Sequence, residues 1–343
     1  MQHIARHRII KPLLRKFAAG LRVIERDLTQ WLDADSINFR PNQSSRLPGK
    51  HLALIAGYFS YKDGLATFGD TEALRVVCDW LEEIKIPFDI ACHPVNGIDG
   101  LNILILDPKP YSVFIYVCGP WKKDNNALLR KFQHCLKIGV NLSHEDPRCD
   151  EFDILFCRDS PLQHNPDVVF ASQVPTLPLA GIACVHPQWE YGERQRHKRV
   201  QQVIGQYLDR HEVARVTLDT LHYKNPTAIR NVVEYENLVG RLDVVISSRL
   251  HGMVFALKRG IPVVAIDPIA GGAKVTAQAN ALGWPLIFNG NDIDESKLRD
   301  AVNLCLSGKL NEVVANVRTG ALVRLSEVKV EFLQKLKEAV PPM

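Results

Sequence analysis

Two ionisable side chains, Arg249 and His251, interrupt an apolar stretch of the sequence. They stand in SSRLHG, between the apolar runs LDVVI and IPVVAI. Arginine presents a planar fork of N–H donors that fits carboxylate and phosphate groups. Histidine titrates near neutral pH and can exchange protons with a substrate. The spacing predicts an anion site with a general acid or base beside it. By position alone, Arg249 could equally form a salt bridge to a neighbouring domain while His251 caps a helix.

The elements around this motif indicate where its side chains must lie. LDVVIS is typical of a buried strand, and MVFALKR is typical of a short helix that Gly260 closes as a C-cap. In an open α/β sheet, ligands bind outside the carboxyl ends of the strands. We therefore expect Ser248, Arg249 and His251 at the ligand-binding edge, beside the unpaired N–H groups of a helix N-terminus, which favour an anion.

From residue 51 onward, predicted strands alternate with predicted helices. Strands separated by helices of about 10 to 15 residues indicate parallel sheets that are covered on both faces. The predicted fold is therefore α/β, with two Rossmann-like domains whose parallel sheets face a cleft, as in the GT-B architecture. The predicted segments are a basic N-terminal helix and linker (1–50), an N-terminal Rossmann-like domain on the acceptor side (51–175), a C-terminal Rossmann-like domain on the donor side (176–310) and a C-terminal helix (311–343).

Two predicted helices belong to the first of these domains. The helix after the first strand is expected to have Asp70 or Thr71 near its N-cap. The segment NNALLRKFQHCLKIG is expected to form one helix that ends at Gly139.

Composition limits the classes of function. A chain of 343 residues suggests two domains, and its 46% hydrophobic and 23% charged residues are ordinary for a soluble globular protein. The formal net charge of +4 is small, so nothing global demands a nucleic-acid partner. The eight cysteines form no CxxC pair, which indicates reduced thiols in a cytoplasmic protein. Neither the cysteines nor the histidines show a metal-ligand spacing, so we expect no metal.

The N-terminal segment, residues 4–32, is basic, and its apolar residues recur at roughly helical spacing. Two interpretations remain open: an amphipathic helix that docks on the protein body, and a membrane-surface helix attracted to anionic lipid. No long apolar stretch follows the basic residues, so we expect no signal peptide. No segment approaches the roughly 18 apolar residues of a membrane span. The expected location is cytoplasmic, at the inner face of the membrane under the second interpretation.

The segment SSRLHGMVFALKRGIPVVAID resembles the signature of the polysaccharide pyruvyl transferase family, S-x-R-L-H-x-x-x-F-A-x-x-x-G-x-P. The matching residues are Ser247, Arg249, Leu250, His251, Phe255, Ala256, Gly260 and Pro262. FGDTEAL, FCRDSP and GGAKV resemble three further elements of the family. The resemblance covers roughly residues 51–310 and is strong in the second half. The family's glycine-rich turn in the first domain is reduced here to VCGPWK around Gly119.

This resemblance implies transfer of a pyruvyl group from phosphoenolpyruvate to a sugar of a polysaccharide or of its lipid-linked precursor, with formation of a ketal. Phosphoenolpyruvate would be a co-substrate, and no cofactor is implied. Arg249 and Arg158 would bind the anionic donor, with Asp159 orienting Arg158. Lys274 would lie on the phosphate, and Ser248 would contact the donor beside Arg249. His251 would act as general acid or base.

Each of three further candidate residues has two possible interpretations. Asp70 would stabilise an oxocarbenium-like centre or deprotonate the attacking hydroxyl, or it would cap its helix. Trp121 would stack on a sugar ring, or it would be a packed tryptophan of a surface loop. His186 follows a strand at its carboxyl edge and would contact substrate there, or it would make no such contact.

Two other functions remain open at this point. One is a nucleotide-sugar-dependent glycosyltransferase, because a two-domain architecture with an arginine and a lysine facing a diphosphate serves that chemistry, and fold alone does not decide function. The other is a non-catalytic glycan- or anion-binding protein. The identity of the donor consumed would distinguish them.

Overall fold

The computed structural model describes residues 52–60, 66–93, 100–121, 125–145, 151–223 and 225–340. The chain divides into two compact units, Met1–Val174 and Pro175–Met343. The predictions for the basic segment of residues 1–50 lie outside the described residues. Across the described ranges, we find no helix that is both long and apolar enough to cross a membrane.

The first unit is built on a parallel sheet with seven strands in the described part of the chain, in the order β3-β2-β1-β4-β6-β5, with β7 also paired to β6. The strands are β1 (Ala53–Gly57), β2 (Phe88–Cys92), β3 (Leu101–Asn102), β4 (Val113–Val117), β5 (Pro120–Trp121), β6 (Leu136–His144) and β7 (Ile154–Asp159). Helix α1 (Phe68–Glu83) joins β1 to β2, and α2 (Asn126–Lys131) precedes β6. Strands β2 and β3 lie on one side of β1 and β4 lies on the other, so this sheet has its switch point between β1 and β4.

The predicted helix that ends at Gly139 is wrong in its second half. Helix α2 ends at Lys131, and β6 begins at Leu136 and pairs with both β4 and β7. Apolar residues recur at every second position from Leu136 to Leu142. That period of two belongs to a strand, and the strand pairing on both sides overrides the helical spacing of the preceding residues.

The second unit is built on a five-stranded parallel sheet in the order β12-β11-β10-β8-β9, as far as the described residues extend. Its strands are β8 (Leu179–Ala183), β9 (Ala214–Thr217), β10 (Val244–Ser247), β11 (Val263–Asp267) and β12 (Ile287–Asn289). Its helices are α3 (His197–Leu208), α4 (Val232–Val239), α5 (Leu250–Lys258), α6 (Lys274–Leu282), α7 (Glu295–Leu306) and α8 (Asn311–Ala339). Strand β9 lies on one side of β8 and β10 lies on the other, which makes the gap between β8 and β10 the switch point of this sheet.

The core of the second unit explains why strands β10 and β11 appear in the sequence as apolar runs. Every residue of β10 and β11 is buried, and helices α5, α6 and α7 contact these strands. A strand covered on both faces has no solvent-facing positions, so its sequence shows an apolar run instead of alternation. The predicted α/β fold with two parallel sheets is confirmed. The arrangement of the two sheets around a cleft stays a prediction.

Candidate functional site

The candidate site lies outside the carboxyl ends of β8 and β10, at the switch point of the second sheet. The connections leave β8 and β10 in opposite directions there, which opens a crevice for a ligand. The backbone N–H of Ser248 donates to the Ala183 carbonyl at 3.0 Å, and the Val185 N–H donates to Ser248 Oγ at 2.9 Å. Ser248 is only 3% exposed. Its hydroxyl therefore links the turn after β8 to the turn after β10, whereas we expected it to contact the substrate.

Arg249 occupies the N-cap position of α5, and its side chain is buried. Its Nε donates to the Cys184 carbonyl at 2.8 Å, its Nη1 donates to Thr220 Oγ1 at 3.4 Å, and its Nη2 lies 3.0 Å from Asp219 Oδ1. A guanidinium carries five N–H donors, so these contacts leave donors on the terminal nitrogens for an anion. The salt bridge that we considered as an alternative exists, but its partner belongs to the same unit. It holds the planar fork in one orientation.

Asp219 is the centre of this cluster, and the sequence analysis did not single it out. Its carboxylate is 4% exposed and accepts from the backbone N–H of Leu221 at 2.8 Å as well as from Arg249. Nε2 of His186 lies 3.2 Å from Asp219 Oδ2, and the His186 side chain is largely exposed. The structure thus joins two predicted site residues, Arg249 and His186, through one buried carboxylate. The available signal was position, because Asp219 is the last residue of the predicted strand VARVTLD, at its carboxyl end.

His251 is exposed on the first turn of α5. The helix begins at Leu250 with Arg249 at its N-cap, so His251 does not cap it. Close packing of this turn against the sheet depends on Gly252, where an added Cβ would lie 2.3 Å from Ser247 Oγ. The glycine lets the helix start directly at the strand end. An imidazole in this place is open to a ligand and can exchange protons with it.

Lys274 is the first residue of α6 and is exposed. Asp267, a buried residue at the end of β11, organises the loop before it. Its Oδ2 accepts from the backbone N–H groups of Ala273 at 2.6 Å and Thr276 at 2.9 Å. Sequence reasoning also missed Asp267, which a search for polar residues at strand ends would have found. The arrangement places the ammonium of Lys274 at a helix N-terminus, where an anion is favoured.

His197 lies beside this loop, at the start of α3, and is 4% exposed. Within the described part of the chain, neither ring nitrogen has a hydrogen-bond partner. Burial lowers the pKa of His197 below its usual value, and the positive charge of Lys274 acts in the same direction. The imidazole is therefore neutral at physiological pH.

Asp70 forms part of a helix cap in the first unit. The N-cap of α1 is Thr67, and Asp70 is the third residue of the helix, so it stands near the N-cap as predicted. Asp70 Oδ2 accepts from the backbone N–H of Thr67 at 2.8 Å and from its hydroxyl at 2.9 Å, and Thr67 Oγ1 in turn accepts from the N–H of Asp70. This reciprocal pair is a capping box. It supports the capping alternative for Asp70 and shows no arrangement particular to catalysis.

Trp121 is a core residue of the first unit, which corrects the expectation of a sugar-stacking platform. Its indole is 1% exposed, and its Nε1 donates to Asn126 Oδ1 at 3.2 Å. Tyr116 and Phe152 pack against the ring at centroid distances of 4.8 and 4.7 Å. A platform for a sugar needs an open ring face. Trp121 instead forms part of the wall of a cavity of about 330 Å³ that lies near the switch point of the first sheet, between β1 and β4.

Arg158 lies near the carboxyl end of β7 within a polar network of the first unit. Its Nε donates to Asp159 Oδ2 at 3.0 Å, its Nη1 to Asp167 Oδ2 at 3.0 Å and its Nη2 to Ser143 Oγ at 2.6 Å. Burial lowers the pKa of Arg158, but the hydrogen bonds to the two carboxylates outweigh this and leave it raised. Arg158, Asp70 and Trp121 belong to the first unit, and the remaining candidates belong to the second. That both groups serve one reaction stays a prediction.

Comparison with known proteins shows that one segment of the chain is similar to a protein family. Residues 151–268 match the family model described as polysaccharide pyruvyl transferase, which confirms the resemblance drawn from the sequence. This segment contains the ends of β7, β8, β9, β10 and β11. The match supports, in general terms, a transferase that acts on a polysaccharide. None of the curated proteins compared with the chain matches it.

Three solved structures are similar to the chain at low identity. MurG of Acinetobacter baumannii is 12% identical with a TM-score of 0.29, over 79% of this chain and 95% of that chain. The spinosyn forosaminyltransferase SpnP is 12% identical with a TM-score of 0.30, over 81% and 99% of the two chains. A UDP-GlcNAc 2-epimerase from Methanocaldococcus jannaschii is 12% identical with a TM-score of 0.28, over 76% and 93%. Likenesses of this degree carry no argument about function.

Proposed function

We propose that this protein transfers a pyruvyl group from phosphoenolpyruvate to a saccharide and forms a ketal there. The observation that carries the proposal is the buried pair of Arg249 and Asp219 at the switch point, with the exposed His251 on the adjoining helix turn. These residues stand inside the segment that matches the polysaccharide pyruvyl transferase family model. A guanidinium fixed in orientation and an open imidazole are the two groups that an anionic enol donor requires.

The chemistry assigns a task to each group. Ketal formation protonates the methylene carbon of phosphoenolpyruvate, joins two acceptor hydroxyl oxygens to the adjacent carbon and breaks the bond from that carbon to the phosphate oxygen. The two hydroxyls lose their protons, and inorganic phosphate leaves. His251 delivers or removes a proton in this sequence. Arg249 holds the donor, and Lys274 places a point charge at a helix N-terminus, where phosphate binds well. No cofactor enters this scheme.

A donor screen followed by phosphorus NMR tests the proposal. The protein is incubated with a saccharide acceptor and with either phosphoenolpyruvate or a nucleotide sugar. Growth of an inorganic phosphate signal that depends on acceptor, and its loss in Arg249→Ala, is the expected result. Release of a nucleoside diphosphate would instead establish the glycosyltransferase alternative. Binding without turnover of any donor would establish a non-catalytic glycan- or anion-binding protein.

A lipid-linked acceptor and contact with the membrane surface extend this proposal. Their support is the basic, amphipathic sequence of residues 4–32, which lies outside the described residues. Deletion of residues 1–32 should then leave turnover of a water-soluble acceptor intact and abolish sedimentation with anionic vesicles. Persistent vesicle binding by the shortened protein would reject the role of this segment.

A further inference from the structure

A small pocket of about 120 Å³ lies in the second unit. Its walls come from the end of β9, the loop that follows, and helices α4 and α5. The lining residues that matter here are Asp219, Thr220, Tyr235 and Phe255. Asp219 and Thr220 are also the residues that contact the guanidinium of Arg249. The pocket therefore shares a wall with the anion site already described.

The hydroxyl of Tyr235 is buried. The residue is 4% exposed, and in the described ranges of the chain no hydrogen-bond partner for its oxygen is found. Burial raises the pKa of Tyr235 to about 12, so the group is a neutral O–H donor at physiological pH. Leaving a buried donor unpaired costs free energy, so an unpaired buried hydroxyl indicates an acceptor that comes from outside the chain.

Tyr235 connects the pocket to both candidate catalytic residues. Tyr235 lines the pocket together with Asp219 and Thr220, the two residues that contact the terminal nitrogens of Arg249. Its ring packs against Phe255 at a centroid distance of 5.2 Å, and Phe255 lies 6.4 Å from the ring of His251. Tyr235 of α4 and His251 of α5 thus both lie near Phe255, which also belongs to α5.

The charge balance of the pocket favours a particular acceptor. The positive charge of Arg249 is matched by the carboxylate of Asp219, and that of Arg230, which lines the pocket, is matched by Glu234, so these pairs have little excess charge to offer a dianion. Both oxygens of Asp219 already accept hydrogen bonds: Oδ1 accepts from the backbone N–H of Leu221, and Oδ2 accepts from Arg249 and His186. An O–H and a terminal guanidinium N–H suit a small planar group with a single negative charge and two acceptor oxygens. A carboxylate has that form.

We infer that this pocket binds the carboxylate of the donor, with the hydroxyl of Tyr235 and a terminal N–H of Arg249 donating to its oxygens. The inference rests on the proposed function, in which the donor is phosphoenolpyruvate. It makes Tyr235 a substrate-binding residue that distinguishes the carboxylate end of the donor from its phosphate end.

Titration calorimetry on Tyr235→Phe tests this assignment with phosphoenolpyruvate and with inorganic phosphate as separate probes. The substitution removes one oxygen and keeps the ring against Phe255. We expect the Kd of phosphoenolpyruvate to rise about 10- to 100-fold, the worth of one hydrogen bond to a charged group. The Kd of inorganic phosphate should stay within about twofold. The unfolding temperature of the ligand-free variant should not fall, because the lost hydroxyl has no partner among the described residues. Tyr207→Phe, at a buried tyrosine of α3, is the matched control and should leave both affinities unchanged.

The outcomes separate this inference from the proposed function. Unchanged phosphoenolpyruvate affinity in Tyr235→Phe overturns the inference and leaves the proposed function standing, provided that the wild-type protein binds the donor. Equal weakening of both probes refutes the carboxylate assignment. A lowered unfolding temperature with unchanged affinity shows that the hydroxyl serves the fold. If the wild-type protein binds no phosphoenolpyruvate, the proposed function and the inference fail together.

Discussion

Replacing His251 with alanine separates chemistry from folding at this site. The side chain is exposed on the first turn of α5, and the N-cap position belongs to Arg249. Surface substitutions of this kind usually change the free energy of unfolding by about 0.5 kcal/mol or less. We therefore expect the variant to unfold within a degree or two of the wild-type protein.

The expected effect on turnover is much larger. A positioned general acid or base contributes roughly 100- to 10,000-fold to kcat. At about 1.4 kcal/mol for each factor of ten, its loss raises the barrier by about 3 to 5 kcal/mol. KM for phosphoenolpyruvate should change far less, because Cys184, Thr220 and Asp219 still hold the guanidinium of Arg249.

The assay measures kcat and KM from phosphate release, and thermal unfolding, on one preparation of each variant. Lys258→Ala is the matched control, since Lys258 is exposed on the same helix, forms an ion pair with Glu236 at 2.6 Å and lies 5.9 Å from the centroid of the Phe255 ring. Such surface pairs contribute about 0 to 1 kcal/mol, so this variant should keep both turnover and stability. Turnover of His251→Ala within a few fold of wild type would refute the acid–base assignment. The assignment would also be refuted if the substitution lowered the free energy of unfolding by as much as it raised the activation barrier.

Three other substitutions test the surroundings of the site. Arg249→Lys should lose about 2 to 4 kcal/mol of transition-state stabilisation, measured from kcat/KM, which is nearly as much as Arg249→Ala should lose. The reason is that one ammonium cannot contact the Cys184 carbonyl, the Asp219 carboxylate and an anion together. Retention of more than half the wild-type kcat/KM would contradict this prediction. Gly252→Ala should lower the free energy of unfolding by about 1 to 3 kcal/mol through the clash of its Cβ with the strand end, and an unchanged denaturation midpoint would show that the helix can shift. Because the pKa of His197 is lowered in the fold, the unfolded chain binds the extra proton, and stability should fall as pH drops below about 6.5. Denaturation at a series of pH values should give a weaker pH dependence for His197→Gln, and parallel profiles would exclude His197 as the cause.

The sequence predicted the architecture of the site well where one strand end controlled it. The apolar run before Ser248 placed the carboxyl edge correctly and a helix after it, but this helix begins at Leu250 instead of Met253, and its C-cap is Arg259 instead of Gly260. Arg249 and His251 could be singled out because charge interrupts a buried segment only at a cost. Asp219 and Asp267 were missed because a single aspartate after a strand is common, and only the pairing order of the strands shows which ends meet.

The first unit shows where local patterns fail. An indole beside glycine and proline suggested a surface loop at Trp121, but the two-residue strand β5 pairs with β6 and draws the ring into the core. Helical spacing before Leu136 hid a strand whose pairing with two neighbours decides its conformation. Both errors have one cause: pairing between segments distant in sequence outweighs local propensity.

The groups at the second switch point are poor choices for folding alone. A buried ion pair such as Arg249 with Asp219 is often no more stable than apolar side chains of similar volume, because both charges must be desolvated. The hydroxyl of Tyr235, which has no partner in the part of the chain that the structure describes, adds a further cost, since phenylalanine would fill the same space without it. Residues that conflict with stability are expected where a site is built for a ligand. Here the two conflicts share one pocket wall, next to the open imidazole of His251, and a bound anion would relieve the second of them by accepting the orphan hydrogen bond.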